Sequence, residues 1–231
     1  MPNGNEGDPA RESSPRTVSF MGIDLLVNEE VLAPREETEI LGETVLALLR
    51  EREGDQTVID MCCGCGNLSL AVASHASGTR IWASDLTDGT VAVARANAAR
   101  LGLGDRVSVA QGDLFAGLAG SGLAGKVDLV MCNPPYISTA RLGGDRAHLL
   151  EAEPREAFDG GPYGISIMQR LVSEALPFLK EGGWLAFEFG AGQERQAKLL
   201  IERTKSYDQI AFMNDAAGLP RVARARKKAN A

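Results

Sequence analysis

The chain predicts an α/β fold: a mostly parallel seven-stranded sheet with helices on both faces and an antiparallel hairpin at its C-terminal end. Three observations carry this expectation. From residue 57 onward, strand-like and helix-like segments alternate, the pattern of βαβ units, in which parallel strands are joined by helical crossovers. The first of these strands runs into its helix through a glycine turn, Gly64-Cys65-Gly66. The last strands are separated only by Asp215-Ala216-Ala217-Gly218, too short for a crossover, so they pair as an antiparallel hairpin.

Each element follows in order. Residues 1–16 are rich in Pro, Gly, Ser and charge without apolar periodicity, and read as a disordered leader. From Thr17 to Leu32 apolar residues return in a strand rhythm, with Gly22-Ile23-Asp24 as the turn. After Pro34, the set Ile40, Leu41, Thr44, Val45, Leu48 and Leu49 keeps helical spacing behind a Glu-rich start. Residues 17–53 are therefore expected to form a hairpin and helix packed on the main domain, residues 54–231. Within that domain the predicted strands are Thr57–Cys62, Arg80–Asp85, Arg106–Gly112, Val127–Cys132, Gly183–Phe189, Gln209–Asn214 and a final strand and tail at Arg221–Lys228. The predicted helices are Asn67–His75, Thr87–Leu101, Ile165–Lys180 and Gln193–Lys205. Residues 137–164 lack periodicity and read as a long loop, and such loops in compact domains are usually functional.

Composition narrows the classes of function. The net charge is −7, from 24 basic and 31 acidic residues. Five of the basic residues crowd Arg221–Lys228, so everything before residue 221 carries 19 basic against 31 acidic residues, or −12. A body that acidic argues against docking along phosphate backbone, and makes nucleic acid an unlikely partner on charge grounds. No apolar run approaches the ~18–20 residues of a membrane span, and no secretory signal is present. Four cysteines without an export signal point to a reducing, cytoplasmic setting. Cys62, Cys63 and Cys65 lack the spacing of a metal site, so no metal is expected.

In an open α/β sheet, ligands bind beyond the carboxyl ends of the strands where the strand order reverses. Three such ends carry acidic or glycine residues here. The first is Asp60-Met61-Cys62-Cys63-Gly64-Cys65-Gly66, where Gly64 and Gly66 let backbone approach a ligand. The second is Asp85, 19 residues beyond Gly66, an offset that suits a carboxylate accepting both hydroxyls of a ribose. The third is Asp113, suited to accept from an adenine amino group. Cys62, Leu86 and Leu114 are grouped with them as nucleotide-binding residues. Gly64-Cys65-Gly66-Asn67-Leu68-Ser69 departs from the dinucleotide fingerprint at its final small residue, which leaves NAD as the second choice of cofactor.

The tetrapeptide Asn133-Pro134-Pro135-Tyr136 follows the strand Val127–Cys132. Two prolines stop the ladder and stiffen the backbone at the sheet edge. The Asn133 side-chain carbonyl and the Pro134 backbone carbonyl then form a pair of acceptors suited to a planar NH2 group. Tyr136, with Pro135, supplies a face for a flat amide, base or guanidine. Asn133, Pro134 and Tyr136 are the expected catalytic residues.

With these motifs the chain resembles the class I S-adenosylmethionine-dependent methyltransferases, a Rossmann-like fold. Within them it is similar to the HemK/PrmC-type protein glutamine N5-methyltransferases, which modify the Gly-Gly-Gln motif of peptide-chain release factors. The likeness extends over nearly all of residues 17–228. It includes Val31-Leu32-Ala33-Pro34-Arg35-Glu36-Glu37-Thr38-Glu39, the loop Glu153–Gly161, and Phe187-Glu188-Phe189-Gly190 followed by Gln193. The resemblance implies S-adenosyl-L-methionine as cofactor and puts Asp60, Gly64, Gly66, Asp85, Asp113 and Asn133 on positions that bind cofactor or substrate. It also brings Arg35 and Thr38 near the active site as substrate-binding candidates. The chain departs from the family pattern at Glu36 (usually Pro), at Cys63 and Cys65 (usually Thr and Ser) and at Tyr163 (usually Asp), and the leader stands where members carry a helical domain. A release-factor glutamine, a small-molecule nitrogen acceptor and an adenine amino group are the acceptors these features admit, in that order.

Overall fold

The computed structural model describes residues 16–229; the leader expected over 1–16 lies outside the described residues except for Arg16. The described chain opens with a hairpin, β1 (Arg16–Phe20) and β2 (Ile23–Val27). Met21 and Gly22 make its two-residue turn, both at positive φ, 46° and 80°, the backbone twist that lets two strands continue in register. The turn lies one residue earlier than Gly22-Ile23-Asp24, because Ile23 already pairs with Phe20. A 3-10 turn, Glu36–Thr38, leads into α1 (Glu39–Arg50), which buries Leu41, Thr44, Val45, Leu48 and Leu49, the stripe that helical periodicity requires.

The remaining strands form one sheet: β3 (Gln56–Met61), β4 (Thr79–Asp85), β5 (Val107–Gln111), β6 (Val127–Cys132), β7 (Leu179–Glu188), β8 (Tyr207–Asn214) and β9 (Pro220–Lys227). Their order is β5-β4-β3-β6-β7-β9-β8. The first five run parallel, while β9 runs antiparallel to both β7 and β8. The crossover helices are α2 (Asn67–His75), α3 (Asp88–Arg100), α5 (Ser166–Glu174) and α6 (Glu194–Arg203). Residues 137–164 are not featureless: they hold a short α4 (Thr139–Leu142) and two 3-10 turns, Ala147–Glu151 and Arg155–Ala157, tied back by an Ile137–Asp159 bridge.

Strand alternation separates two cores. Val58, Leu129 and Met131 face one, under the hairpin, α1 and α2, with Phe20, Leu25, Leu41 and Val72. Ile59, Val130 and Cys132 face the other, under α5 and α6, with Met168, Leu171 and Ile201. The helix predicted over Ile165–Lys180 ends at Glu174, and Leu179 and Lys180 belong to β7. Pro177 accounts for the difference: it has no N–H to give a helix, and residues 175–178 make a turn in which the Phe178 and Leu179 N–H groups both donate to the Ala175 carbonyl, after which Leu179 pairs with Val127. Among the described residues no helix is long and apolar enough to cross a membrane.

Asn97 of α3 ties the hairpin to the glycine turn. Its side-chain oxygen accepts from the Leu26 N–H at 2.7 Å, and its NH2 donates to the carbonyls of Leu26 and Cys65, both at 2.9 Å. The residue is fully buried, so Asn97→Ala orphans several backbone groups at once and is expected to cost about 3 kcal/mol in urea unfolding. A loss under about 1 kcal/mol would mean that the hairpin is held by apolar packing instead.

Candidate active site

The strand order reverses between β3 and β6, and the carboxyl ends of β3, β4, β5 and β6 open there on a cavity of about 320 Å3, within the range of small-molecule sites. Cys62, Gly64, Asp85, Leu86, Asp113, Leu114, Asn133 and Pro135 line it, together with residues 30–35, Thr38 and the turn around Pro154–Ala157. Cys62 and Leu114 hold left-handed backbone, φ 56° and 49°, a conformation that costs energy in residues bearing a Cβ and concentrates at functional sites.

Asp85 organises the wall at the ends of β3 and β4. Its Oδ2 accepts from the Gly64 N–H at 2.8 Å and its Oδ1 from the Leu86 N–H at 2.7 Å. Burial raises its pKa and these two hydrogen bonds oppose the rise. Gly64, at φ 55°, has no side chain to fill the space it borders, and nothing lies closer than 4.0 Å to where its Cβ would be. Gly66 has a packing role. It does not line the cavity, and a Cβ there would meet Leu70 at 3.0 Å, so its glycine permits α2 to pack at a left-handed φ of 84°.

Asp60 also departs from the expected direct contact. It is fully buried beneath the turn, and its Oδ2 accepts from the Ser69 N–H at 3.1 Å and the Ser69 hydroxyl at 2.6 Å. It therefore fixes the start of α2 rather than facing the cavity. Burial lifts its pKa from 3.8 to about 7, against the pull of the two Ser69 bonds. Asp113 does face the cavity, but Arg170 grips both its oxygens at 2.8 and 2.9 Å. An adenine there meets a carboxylate already paired with a guanidinium.

At the reacting end, Asn133 donates from Nδ2 to the Thr38 hydroxyl oxygen at 3.1 Å. Pro134 is buried, and neither it nor Tyr136 is among the lining residues. The Tyr136 hydroxyl donates to Glu188 Oε1 at 3.1 Å, and Gln193 donates to the Tyr136 carbonyl at 3.0 Å. The hydroxyl and carbonyl of Tyr136 thus tie the tetrapeptide to Glu188 and Gln193. Arg35 lines the cavity with its guanidinium on the Glu153 carboxylate, which also accepts from the Ala33 N–H at 3.0 Å. Glu153 clamps the wall of residues 33–35 to the loop that closes the site. Sequence reading did not single out Arg170, and it placed Glu153 and Glu188 inside segments of the family resemblance without giving either a role. Each meets its partner across a long stretch of chain, where local spacing carries no signal.

The buried acids make stability depend on pH with a definite sign. Asp60 and Glu188 have folded pKa values of about 7, raised from 3.8 and 4.5. A raised folded pKa contributes stability that is complete below the unfolded value and lost as pH rises through the folded one. The acids with lowered values, Asp145, Asp159 and Asp215, act below the ordinary carboxylate range. Unfolding free energy is thus expected to fall between about pH 4 and pH 7 and to level off above, by at most about 1.4 kcal/mol per unit for each titrating group. Asp60→Asn keeps the acceptor for Ser69 and should flatten part of that slope; identical slopes in urea titrations of both proteins would contradict the assignment.

Comparison with known proteins agrees with this fold. The family described as methyltransferase small domain matches residues 38–161. The release factor glutamine methyltransferase of Moorella thermoacetica is 38% identical over 202 residues, covering 87% of this chain and 69% of its own. That of Gloeobacter violaceus is 33% identical over 206 residues, covering 89% and 70%. Among solved structures, a methyltransferase from Pyrococcus furiosus superposes with a TM-score of 0.61 at 17% identity, covering 90% of each chain. The N-terminal domain of human METTL16 in complex with SAH does so with a TM-score of 0.63 at 15% identity, covering 89% of this chain and 76% of its own. These two likenesses concern the fold, a Rossmann-like methyltransferase sheet. The chain belongs to the methyltransferase small-domain family and, within it, to the release factor glutamine methyltransferases.

Proposed function

We propose that this S-adenosylmethionine-dependent methyltransferase acts on the side-chain amide nitrogen of a protein glutamine, presented by a release factor. The observation that carries the proposal is the state of Asn133. Its NH2 is engaged by Thr38, so the amide turns its oxygen, an acceptor, toward a ligand in the cavity that Asn133 lines. The Pro134 carbonyl, beyond the last ladder pair at Cys132, is the second acceptor of the proposal.

The cavity fits the cofactor's chemistry. Asp85 suits ribose hydroxyls, Gly64 leaves room for backbone approach, and Leu86 and Leu114 offer apolar walls. S-Adenosylmethionine supplies an electrophilic methyl group on sulfur when bound. Asn133 and Pro134 accept the two N–H bonds of the incoming amide, which orients the nitrogen lone pair and favours the positive charge that develops on it. Tyr136, held by Glu188 and Gln193, keeps the tetrapeptide rigid behind that grip. A strong general base is unnecessary, because the nitrogen becomes acidic as it takes the methyl. The acidic body complements a basic partner, and four free cysteines suit a reducing cytoplasm.

Two variants test the halves separately. Asp85→Ala should weaken S-adenosylhomocysteine binding by about 10–100-fold in calorimetry, the range for losing hydrogen bonds to a charged group. Asn133→Ala should leave that affinity nearly unchanged while lowering kcat for a Gly-Gly-Gln release factor by roughly a hundredfold or more. Near-wild-type transfer by a folded Asn133→Ala protein would remove Asn133 from the chemistry. Turnover of small amides or amines, with the release factor inert, would move the acceptor to a metabolite.

A further inference from the structure

Tyr163 is 82% exposed, the most open large apolar side chain among the described residues. A single surface aromatic is ordinary in itself; the placement of this one is not. Its segment begins and ends at the cavity, since Asp159 and Ile167 both line it and Tyr163 stands midway between them.

The turn that carries the ring is fastened to Asn133-Pro134-Pro135-Tyr136 and the residues that follow. The Gly164 N–H donates to the Gly161 carbonyl at 3.1 Å, which closes Gly161-Pro162-Tyr163-Gly164 as a four-residue turn with proline at its favoured second position. The Gly160 N–H donates to the Ile137 carbonyl at 2.8 Å, and the Thr139 N–H to the Gly161 carbonyl at 3.0 Å. Gln193 Nε2 donates to the carbonyls of Tyr136 and Gly164, at 3.0 and 3.1 Å. Glycine is required on both sides of the ring. A Cβ on Gly160 would stand 2.8 Å from the Pro135 carbonyl oxygen, and one on Gly164 would run into the Tyr136 carbonyl oxygen. The backbone under Tyr163 is thus pressed against the tetrapeptide, and the ring is held at a fixed place beside it while pointing into solvent.

The rim of the cavity also carries unbalanced charge. Its cations Arg35 and Arg155 are already paired with Glu153 and Asp159. Exposed Glu156 lines the cavity and exposed Glu36 lies between the lining residues Arg35 and Thr38; neither forms an ion pair among the described residues.

Resting on the activity proposed above, we infer that Tyr163 is the docking anchor for the protein that carries the acceptor glutamine. Its ring packs on an extended stretch of that protein beside the target residue, and Lys or Arg of the same stretch faces Glu36 and Glu156. A glutamine reaches Asn133 by extending its side chain into the cavity, so the flanking backbone stays at the rim, where the turn Gly161–Gly164 stands. Glycines in that backbone suit the site, because their bare peptide groups approach an aromatic face more closely than larger residues allow. An acceptor of metabolite size ends inside the cavity and does not reach the ring. Because the turn is already fixed, ordering it on binding costs little.

The experiment compares methyl transfer to a Gly-Gly-Gln release factor with calorimetry of the same release factor binding to protein loaded with S-adenosylhomocysteine. Removing an exposed ring leaves no cavity, so Tyr163→Ala should fold as wild type. It should raise KM for the release factor at least tenfold, with kcat within about twofold and the Kd for S-adenosylhomocysteine unchanged. Tyr163→Phe keeps the ring and should keep the wild-type KM. The wild-type KM should also rise between about 50 and about 300 mM salt. A wild-type KM in Tyr163→Ala, or equal losses in the Ala and Phe variants, would overturn the anchor, and a KM indifferent to salt would overturn the basic partner. If the wild type methylates no release-factor glutamine, the proposed activity fails. The calorimetric Kd then decides on Tyr163 alone: binding at least tenfold weaker in Tyr163→Ala upholds the anchor, and equal or absent binding overturns it.

Discussion

Three carboxylates at the same edge of a parallel sheet, Asp60 and Glu188 buried and Asp85 half-buried, hold the working parts of this molecule together. Asp60, Asp85 and Glu188 stand at the carboxyl ends of β3, β4 and β7, and desolvation raises the pKa of each. Each offsets part of that cost by accepting hydrogen bonds from a segment that must stay in place. Asp60 holds Ser69 at the start of α2, Asp85 holds Gly64 and Leu86, and Glu188 holds Tyr136. Backbone loops that would otherwise wander are fixed from below by acids with few other partners. This is possible because parallel strands end together, so side chains far apart in sequence emerge side by side.

The same edge lets the proposed binding and reaction share one cavity. In that proposal the nucleotide half rests on β3, β4 and β5 and the reacting half on β6 and β7, and the reversal of strand order between β3 and β6 brings them together. The hairpin, α1 and the connecting residues 28–38 complete the enclosure. Asn97 joins β2 to the glycine turn, while Glu153 joins residues 33–35 to the closing loop. The wall facing the tetrapeptide therefore depends on contacts from both ends of the enclosing segment.

Local patterns in the sequence revealed the sheet, its helices and most of the cavity. The alternation of periods is a local property, and so are the glycine turn, the aspartate after β4 and Asn133-Pro134-Pro135-Tyr136. What stayed hidden depends on three-dimensional register. Asn133 and Thr38 are 95 residues apart, Tyr136 and Glu188 are 52 apart, and Asp113 and Arg170 are 57 apart. No spacing rule connects such pairs. Asp60 and Gly66 were legible as important, but sequence does not distinguish a residue that touches a ligand from one that shapes the turn beneath it. Tyr136 illustrates the same limit: an aromatic beside two prolines suggests a stacking face, but no local pattern shows that its hydroxyl meets a buried carboxylate.

The most direct test of the account is to map the transferred methyl. Wild-type protein would be incubated with deuterated-methyl S-adenosylmethionine and a release factor bearing the Gly-Gly-Gln motif. Fragmentation mass spectrometry of the acceptor peptides then locates the label. The geometry of Asn133 and Thr38 predicts the label on the side-chain nitrogen of that glutamine. Label on an oxygen, a sulfur or a backbone site, or an unlabelled glutamine beside a turned-over small molecule, would contradict it.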